Sequence, residues 1–389
     1  MTGVRAFLSR FMWVQFAAMV LLLAAGSLAL ASAGEARGGA VMAGKWKDAL
    51  ATAAFAFAAY FAIASVDYRK LLRLFALPGY IFSVVLLVLV LVAGSEQFGG
   101  KRWLWFFQPA EVAKLCLVAF IAWFWGGDRE KDRWRFGFAG FAFAVAVAGI
   151  PCVLILVEPD LGSVMALAPA CLAMLLCAGV WRKGLLALLA AAAVTAAAVL
   201  GAVHEAYRPG TSPEKTAAIM RYVPLRRHQA MRVKTFLFPE SDPLGAGYNL
   251  RQSKMALGSG GARGKGWRRG ESVRRRLLPP MGVMNDFIFC VWAEETGFAG
   301  SAALIALYAL LCASTARAAI VARDGSGRLL ALGMATLVFA HVYVNTGMTV
   351  GLVPITGLPL PFMSLGRTFL ATTVLGLGLV QSVSIHREE

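Results

Sequence analysis

The feature that most restricts this chain is a recurrence. Stretches of about 20 apolar residues follow one another along most of its length, and each is long enough to cross the hydrocarbon core of a bilayer as an α-helix. A membrane β-barrel would show alternating segments of roughly 10 residues instead. Ten windows qualify, near residues 11–33, 48–66, 75–94, 109–127, 136–157, 162–180, 184–203, 287–311, 329–350 and 368–385. Composition agrees, since 59% of the 389 residues are hydrophobic and 15% are charged, with a mean hydropathy of +0.68. These values exclude an ordinary soluble domain. The expected fold class is an all-α polytopic membrane protein of about ten transmembrane helices, with residues 1–389 forming a single membrane domain.

Orientation follows from charge. With the N-terminus inside, the cytoplasmic segments hold 15 Lys and Arg, against six (Arg37, Lys45, Lys47, Lys101, Arg102 and Arg367) in the short loops on the other side. The positive-inside rule therefore places both termini in the cytoplasm. Arg5 and Arg10 before an apolar run ending in "ASAGEA" imitate a signal peptide. That run exceeds the usual core of roughly 7 to 15 residues and reads as a retained first helix. The six cysteines (Cys116, Cys152, Cys171, Cys177, Cys290 and Cys312) fall in or beside apolar runs without a C-x-x-C pair, and read as small core residues.

One connection stands apart. Residues 204–285 form a loop of 82 residues with 16 Lys and Arg and, counting Asp286 at its end, six acids, so it carries ten of the chain's seventeen net positive charges. Loops beyond roughly 60 residues cross the membrane largely regardless of charge, so it is expected on the extracytoplasmic side. A basic loop of this kind could simply rest on anionic lipid headgroups. Here, however, "FPESDPLGAGYNLRQSKMALGSGGARGKGW" combines an amphipathic piece (Leu250, Met255, Ala256, Leu257) with glycines, as a re-entrant or interfacial segment would. "RRGESVRRRLLPP" then brings five arginines close before Asp286, a pattern suited to a polyanion such as pyrophosphate. The glycines are not a nucleotide motif. Ser259 and Gly266 break a P-loop, and Arg269 stands where a dinucleotide fingerprint needs its third glycine.

Charges at membrane level are costly, which makes each a functional candidate. Glu111 and Lys114 are three residues apart, share a helical face and can pair. Arg102 and Trp103 lie just outside that span, where an interfacial aromatic and a phosphate anchor are equally reasonable. Glu158 and Asp160 flank a proline between two spans. His341 and Asn345 share a helix face and favour interhelical hydrogen bonding, and the Pro/Gly-rich segment after them must line a cavity or pack on protein. Asp286 stands at the lip of the eighth span, where it could cap a helix beginning at Phe287, act chemically, or do both.

These residues sit in motifs that resemble the SEDS family (shape, elongation, division and sporulation). The motifs are "RW" at 102–103, "QPAEVAKL" at 108–115, "EPDLGS" at 158–163, "DPLGAGYNLRQSKMALGSGGARGKG" at 242–266, "NDFIFCVWAEETGFAG" at 285–300 and "NTGMTVGLVPITGLPLPFMSLG" at 345–366. They follow the family's order over nearly the whole chain. "DPLGAGYN" and "VPITGLPLPFMS" favour its RodA branch, which serves elongation, over its FtsW branch, which serves division. The resemblance implies a peptidoglycan glycosyltransferase of the bacterial cytoplasmic (inner) membrane that polymerises lipid II, the undecaprenyl-pyrophosphate-linked disaccharide peptide, at the outer face. It also implies a class B penicillin-binding protein and other wall-elongation components as partners, beside membrane lipids and without nucleic acid. Asp286 matches the family's acid/base residue, and Arg102, Glu111, Lys114 and Asp160 match its polar cavity groups. Two departures stand out. Met284 and Asn285 replace the usual His-Thr before the aspartate, and "FMSLGRTF" stands where "SYGGSS" is typical.

Glycan polymerisation needs a carboxylate to take a hydroxyl proton and cations to hold the departing pyrophosphate. Asp286 is the candidate base. The candidate substrate-binding residues are Arg102, Trp103, Glu111, Lys114 and Asp160, with Lys254, Arg263, Lys265, Arg274, Arg275 and Arg276 from the loop. The chemistry accommodates a divalent cation (Mg or Mn) between pyrophosphate and carboxylate, and needs no nucleotide. Two rival classes remain: a flippase for lipid-linked precursors, and a non-catalytic scaffold of the wall machinery.

Overall fold

The computed structural model describes all residues except 1, 2, 37–41, 43, 98, 99, 106, 128–131, 224, 226, 243, 244, 280, 281, 388 and 389. Arg37, Arg129 and Lys131 of the charge count, and Pro243, Leu244 and Pro280 of the loop motifs, therefore lie outside the described residues. Among the described residues, ten long helices occupy the ten expected windows. They are α1 (Trp13–Ala36), α2 (Lys45–Ser65), α3 (Tyr68–Ala93), α4 (Pro109–Trp125), α5 (Phe138–Val157), α6 (Leu161–Ala178), α7 (Arg182–Tyr207), α8 (Ile288–Val321), α9 (Gly325–Val350) and α10 (Arg367–Ile385). Among the described residues, nine of them are long and apolar enough to span a membrane. α4, at 17 residues, is the shortest, and is enclosed by its neighbours.

Helix ends follow local chemistry. The Asp160 carboxylate caps α6 through Ser163 N (3.0 Å) and Asp324 caps α9 through Gly327 N (2.8 Å), while α6 and α9 stop at the left-handed glycines Gly179 and Gly351. α9 is the central helix. It packs against α8, α6 and α4, and its two sides feed two apolar cores, one shared with α1, α2, α8 and α10 and the other with α3, α4, α5 and α6. α7 is the exception: its buried residues, Gly184, Leu185, Val203 and Ala206, lie near its two ends, and Leu186, Leu189 and Val194 point outward. A helix apolar and exposed over its whole middle is a lipid-facing one.

The described part of the connection between α7 and α8 is largely helical. It contains helices Pro213–Met220, Arg227–Leu237 and Ala246–Ser259 and a single turn, Glu271–Arg274. The Ala246–Ser259 helix buries Leu250, Gln252, Ser253 and Ala256, packs on α8 and α9, and ties Ser253 Oγ to Thr349 O (2.8 Å), whereas Met255 faces out. The expected amphipathic segment thus docks on protein. An element absent from the sequence reading is a small antiparallel hairpin, β1 (Ser95–Gln97) with β2 (Gly100–Trp103), pairing Ser95 with Trp103.

The glycine-rich stretch clasps a break in α8. Gly297 interrupts that helix at φ +69°, and the loop backbone supplies the missing partners. Lys265 N and Gly266 N donate to Glu294 O and Glu295 O (both 3.0 Å), while Phe298 N and Ala299 N donate to Gly261 O (2.8 Å) and Ala262 O (3.1 Å). A Cβ on Gly297 would lie 2.3 Å from Gly264 N, so only glycine permits this approach. The buried Glu294 carboxylate completes the clasp. It accepts from Lys265 Nζ (2.7 Å), Glu271 N (2.9 Å), Ser272 N (3.1 Å) and Ser272 Oγ. Glu295 takes Arg268 N (3.1 Å) and the hydroxyl of Ser32 in α1.

Candidate active site

The connections at one end of the bundle converge on a cavity of about 250 Å³. Its polar wall is made by Arg102 of the hairpin, Gln108 at the start of α4, Asp160 at the start of α6, Arg232 of the Arg227–Leu237 helix and Asp286 ahead of α8. The backbone of Thr356–Pro359 closes one side, so the Pro/Gly segment after α9 does line a cavity.

Asp286 is held by its backbone rather than its side chain. Asn345 Nδ2 of α9 donates to Asp286 O (3.1 Å) and to Leu358 O (2.7 Å), which fixes the aspartate beside the 356–359 segment. Gly357, at φ +81°, lets this segment pass the carboxylate; a Cβ there would stand 3.3 Å from Asp286 Oδ2. The capping reading does not hold. α8 starts at Ile288 behind Phe287 with no side-chain cap, and among the described residues the Asp286 carboxylate accepts no hydrogen bond. Burial pushes Asp286 up to about 6, with the Arg232 and Arg102 charges pulling the other way and Asp160 adding to the rise.

The two guanidinium groups are positioned by carbonyls. Arg102 Nε donates to Glu158 O (3.1 Å) and its Nη2 to Pro159 O, while Arg232 Nη1 donates to Thr356 O (3.2 Å). Burial holds Arg232 below the usual arginine range, Arg102 adds to this, and Asp160 and Asp286 oppose it. Arg232 therefore shares one field with Arg102 and both aspartates. Asp160 is already satisfied, by Ser163 N, Ser163 Oγ (2.9 Å) and Gln108 Nε2 (3.1 Å). Asp286 is thus the carboxylate left open to a ligand.

Behind the cavity lies a buried relay. Lys114 Nζ contacts both Glu111 oxygens (2.9 and 2.8 Å) and His341 Nε2 (3.0 Å), and His341 Nδ1 meets Pro359 O (3.2 Å). If His341 donates through Nδ1, its Nε2 accepts from the ammonium. The expected Glu111–Lys114 pair forms and His341 makes the interhelical bond that the sequence reading favoured, whereas Asn345 bonds to the backbone of two connecting segments instead.

Of the candidate substrate-binding residues, Arg102, Trp103, Glu111 and Asp160 line the cavity with Asp286. Lys114 does not: it is 2% exposed and spent on Glu111 and His341. None of the loop candidates reaches it either. Lys265 is bound to Glu294, Arg275 pairs with Glu271 (3.0 Å), and Lys254, Arg263, Arg274 and Arg276 are exposed away from it. The loop cation that does arrive, Arg232, was missed. Its signal was faint: it precedes Thr235 and Phe236 by three and four residues, so a charge shares the inward face of a short helix. The two motif departures prove to be neighbours, because Ser364 Oγ donates to Asn285 O (2.6 Å) and Leu365 N to Met284 O (2.9 Å). The turn after α9 therefore fixes the backbone on which Asp286 stands.

Among the described residues, a bundle of ten long helices thus brings three carboxylates (Glu111, Asp160 and Asp286) and two arginines (Arg102 and Arg232) to one cavity, the arrangement of an enzyme site in a membrane protein. The chain belongs to the FtsW/RodA/SpoVE family of cell cycle proteins, whose model matches residues 8–389. It is 36% identical over 314 residues to the peptidoglycan glycosyltransferase MrdB of Escherichia coli K12, covering 79% of this chain and 77% of that one. It is 34% identical to the probable peptidoglycan glycosyltransferase FtsW of Trichlorobacter lovleyi, covering 82% and 78%. Among solved structures it superposes on a chain of a peptidoglycan synthase complex that couples polymerisation and crosslinking (TM-score 0.74, 28% identity, 97% of this chain and 99% of that one). It also superposes on the rod shape determining protein RodA of Thermus thermophilus (TM-score 0.65, 25% identity, 97% and 98%).

Proposed function

We infer that this multi-pass protein of the bacterial inner membrane is a peptidoglycan glycosyltransferase of the elongation branch, polymerising lipid II, with Asp286 as its base. The observation that carries the residue assignment is the placement of a half-buried carboxylate, with no hydrogen-bond partner among the described residues, beside Arg232 and Arg102 at the rim of the bundle. A lipid-linked sugar keeps its tail in the bilayer and its sugars outside, so a base at the rim meets the bond between them.

In the proposed step the Asp286 carboxylate takes the proton of an acceptor sugar hydroxyl. The oxygen then bonds to the anomeric carbon of the donor as the bond from that carbon to the pyrophosphate oxygen breaks. Arg232 and Arg102 receive the negative charge of the departing polyprenyl pyrophosphate. A base near pH 6 is ionised at neutral pH yet remains basic enough to accept the proton. Asn285 Oδ1 and Thr356 Oγ1 belong to residues that line the cavity and are buried without a partner among the described residues, so a small rotation of either side chain would offer the sugars a hydrogen bond.

A magnesium or manganese ion fits this donor set as a guest of the substrate. Among the described residues no three His, Cys, Asp or Glu gather to hold one, so Asp286 and the phosphates would hold it, and it would neutralise charge on the leaving group. The outward orientation of this end rests on the charge bias of the connecting segments, and the partner fitting the reading is a class B penicillin-binding protein that crosslinks the product.

The test is polymer formation from lipid II in detergent by the protein with its penicillin-binding partner, comparing wild type with Asp286→Ala. Polymer from the wild type alone supports the assignment. Equal polymer from both removes Asp286 from the chemistry, and none from either in a verified complex turns the reading toward transport or scaffolding, because detergent leaves no second compartment to flip into.

A further inference from the structure

The hairpin that carries Arg102 into the catalytic cavity runs on into a tight turn at Trp105. Leu104 N donates to Phe107 O (3.0 Å) and Phe107 N to Leu104 O (3.1 Å), which closes that turn, and Trp105 takes a left-handed backbone at φ +53°. Turns that need this conformation favour glycine or asparagine, because a side chain is crowded there. The Trp105 side chain is also 85% exposed and does not line the cavity, although Trp103 does. A bulky ring is thus held in a strained conformation and given almost no packing by the protein.

Depth supplies the reason. Leu104 and Phe107, on either side of the tip, pack against Leu86 and Val90 of α3. Both of these lie in the final turns of a helix that ends at Ala93, so the chain folds back along α3 by up to about 10 Å before α4 begins at Pro109. Around the same helix end Val85, Val88, Leu89 and Val92 are exposed, the surface of a helix in contact with lipid. Trp105 therefore stands beside a lipid-facing surface near its upper edge, where acyl chains give way to headgroups and an indole can bury its ring while its N–H stays wet. We propose that Trp105 anchors the hairpin in the headgroup layer of the bilayer and thereby sets the level at which a lipid-borne pyrophosphate meets Arg102. Arg102 is three residues away and tied to Glu158 O (3.1 Å) and Pro159 O, so fixing the bilayer against Trp105 fixes it against that guanidinium group. The anchoring stands on geometry alone; the positioning of substrate rests on the function inferred above.

Two measurements on the full chain test the two halves. In nanodiscs of phosphatidylglycerol and phosphatidylcholine, the fluorine resonance of 5-fluorotryptophan at position 105, identified by its loss in Trp105→Tyr, should be broadened by doxyl-labelled phosphatidylcholine more than by a water-soluble gadolinium chelate. Broadening by the chelate that equals or exceeds that by the lipid overturns the anchor. Polymerisation of lipid II by the complex with its penicillin-binding partner is then compared in nanodiscs and in detergent. Trp105→Gly suits the left-handed turn and should fold, yet its KM in nanodiscs should rise about three- to tenfold with kcat kept, while detergent activity stays within about twofold. Trp105→Tyr, still an interfacial aromatic, should restore most of the loss. No loss in nanodiscs overturns the positioning role, and an equal loss in both media overturns it in favour of direct contact between Trp105 and a substrate sugar. Wild type that polymerises in neither medium removes the transferase reading, and the positioning role with it, while the fluorine spectrum still decides the anchor.

Discussion

Two basic stretches of the same loop meet opposite fates. Residues 263–276 carry seven cations and run toward Asp286 in sequence, yet none lines the cavity; residues 227–237 carry fewer, and Arg232 among them enters it. The difference is prior commitment. Lys265 is neutralised by Glu294, Arg268 by Glu35 (2.6 Å) and Arg275 by Glu271, and the backbone between them is pinned to α8 around Gly297. Arg232 is instead half-buried beside two aspartates with one nitrogen bonded to a carbonyl, so much of its charge remains directed at the cavity. Charge density along a chain locates a basic surface; burial of a cation among unneutralised acids locates a site.

The largest effect that would break this comparison is at Asp286. Asp286→Asn should lower polymerisation by about 10²–10⁴-fold. Wild-type activity should rise about tenfold per pH unit up to about pH 6 and level off above it, as the base ionises. Stability should move the other way. The folded group titrates near 6 against 3.8 when unperturbed, so the folded state binds more protons between those values and stability falls as pH rises through that window. The ionised form then costs on the order of 3 kcal/mol at pH 7, and Asp286→Asn should raise the apparent Tm at pH 7 but not at pH 4. A drop in Tm would restore the capping role that the geometry denies.

Next in size is the direct contrast between the stretches. Arg232→Gln should cost about 10 to 100-fold in kcat/KM, the worth of one or two charge-assisted bonds to pyrophosphate. The triple change Arg274→Gln, Arg275→Gln, Arg276→Gln, which removes three times the charge from an exposed segment, should stay within about threefold. A triple variant as damaged as Arg232→Gln would sink the argument from burial.

The third prediction addresses what the glycine stretch does instead of binding substrate. Glu294→Ala strips a buried acceptor from Lys265, Ser272 and two backbone amides, and should destabilise by about 3–5 kcal/mol, read as a lower apparent Tm in detergent. Glu294→Gln should lose less, since an amide oxygen still accepts. Both should reduce polymerisation only in proportion to folded protein.

How much of this was legible depended on the range of the signal. Span length and loop charge are local, so all ten helices appeared in the sequence, although α8 runs on to Val321 past the expected 311 and α3 begins at Tyr68 before the expected 75, and the Glu111–Lys114 pair followed from its spacing of three. Asp286, Arg102 and Asp160 were found because motifs marked them. Arg232 had no such mark, and its role depends on a docking angle between a loop helix and the 353–359 segment that no period encodes. The same holds for Lys114. A lysine at membrane level reads as a ligand until the third partner, His341, is brought to it from 227 residues away. Glycines 260–270 read as permitting a re-entrant or interfacial segment; the positive φ values of Gly261, Gly264 and Gly266 serve instead a backbone clasp whose other half, Gly297, lies in what reads as an unbroken helix.

The smallest expected effect tests whether burial alone makes a carboxylate functional. Glu158 is as deeply buried as any acid near the cavity, and both its oxygens lack a partner among the described residues. Burial first, and the neighbouring Asp160 second, push it up to about 8, with Arg102 opposing, so at pH 7 it carries its proton and behaves as a neutral spacer whose backbone oxygen orients Arg102. Its folded value exceeds the unperturbed 4.5, so its ionisation removes stability as pH rises from there through about 8. Glu158→Gln copies the neutral form. It should leave polymerisation at pH 7 within about twofold, while flattening the loss of Tm between pH 7 and 9. A large loss of activity in this variant, with Tm preserved, would mean that the proton of Glu158 is used in the reaction and that the cavity has a second acid beside Asp286.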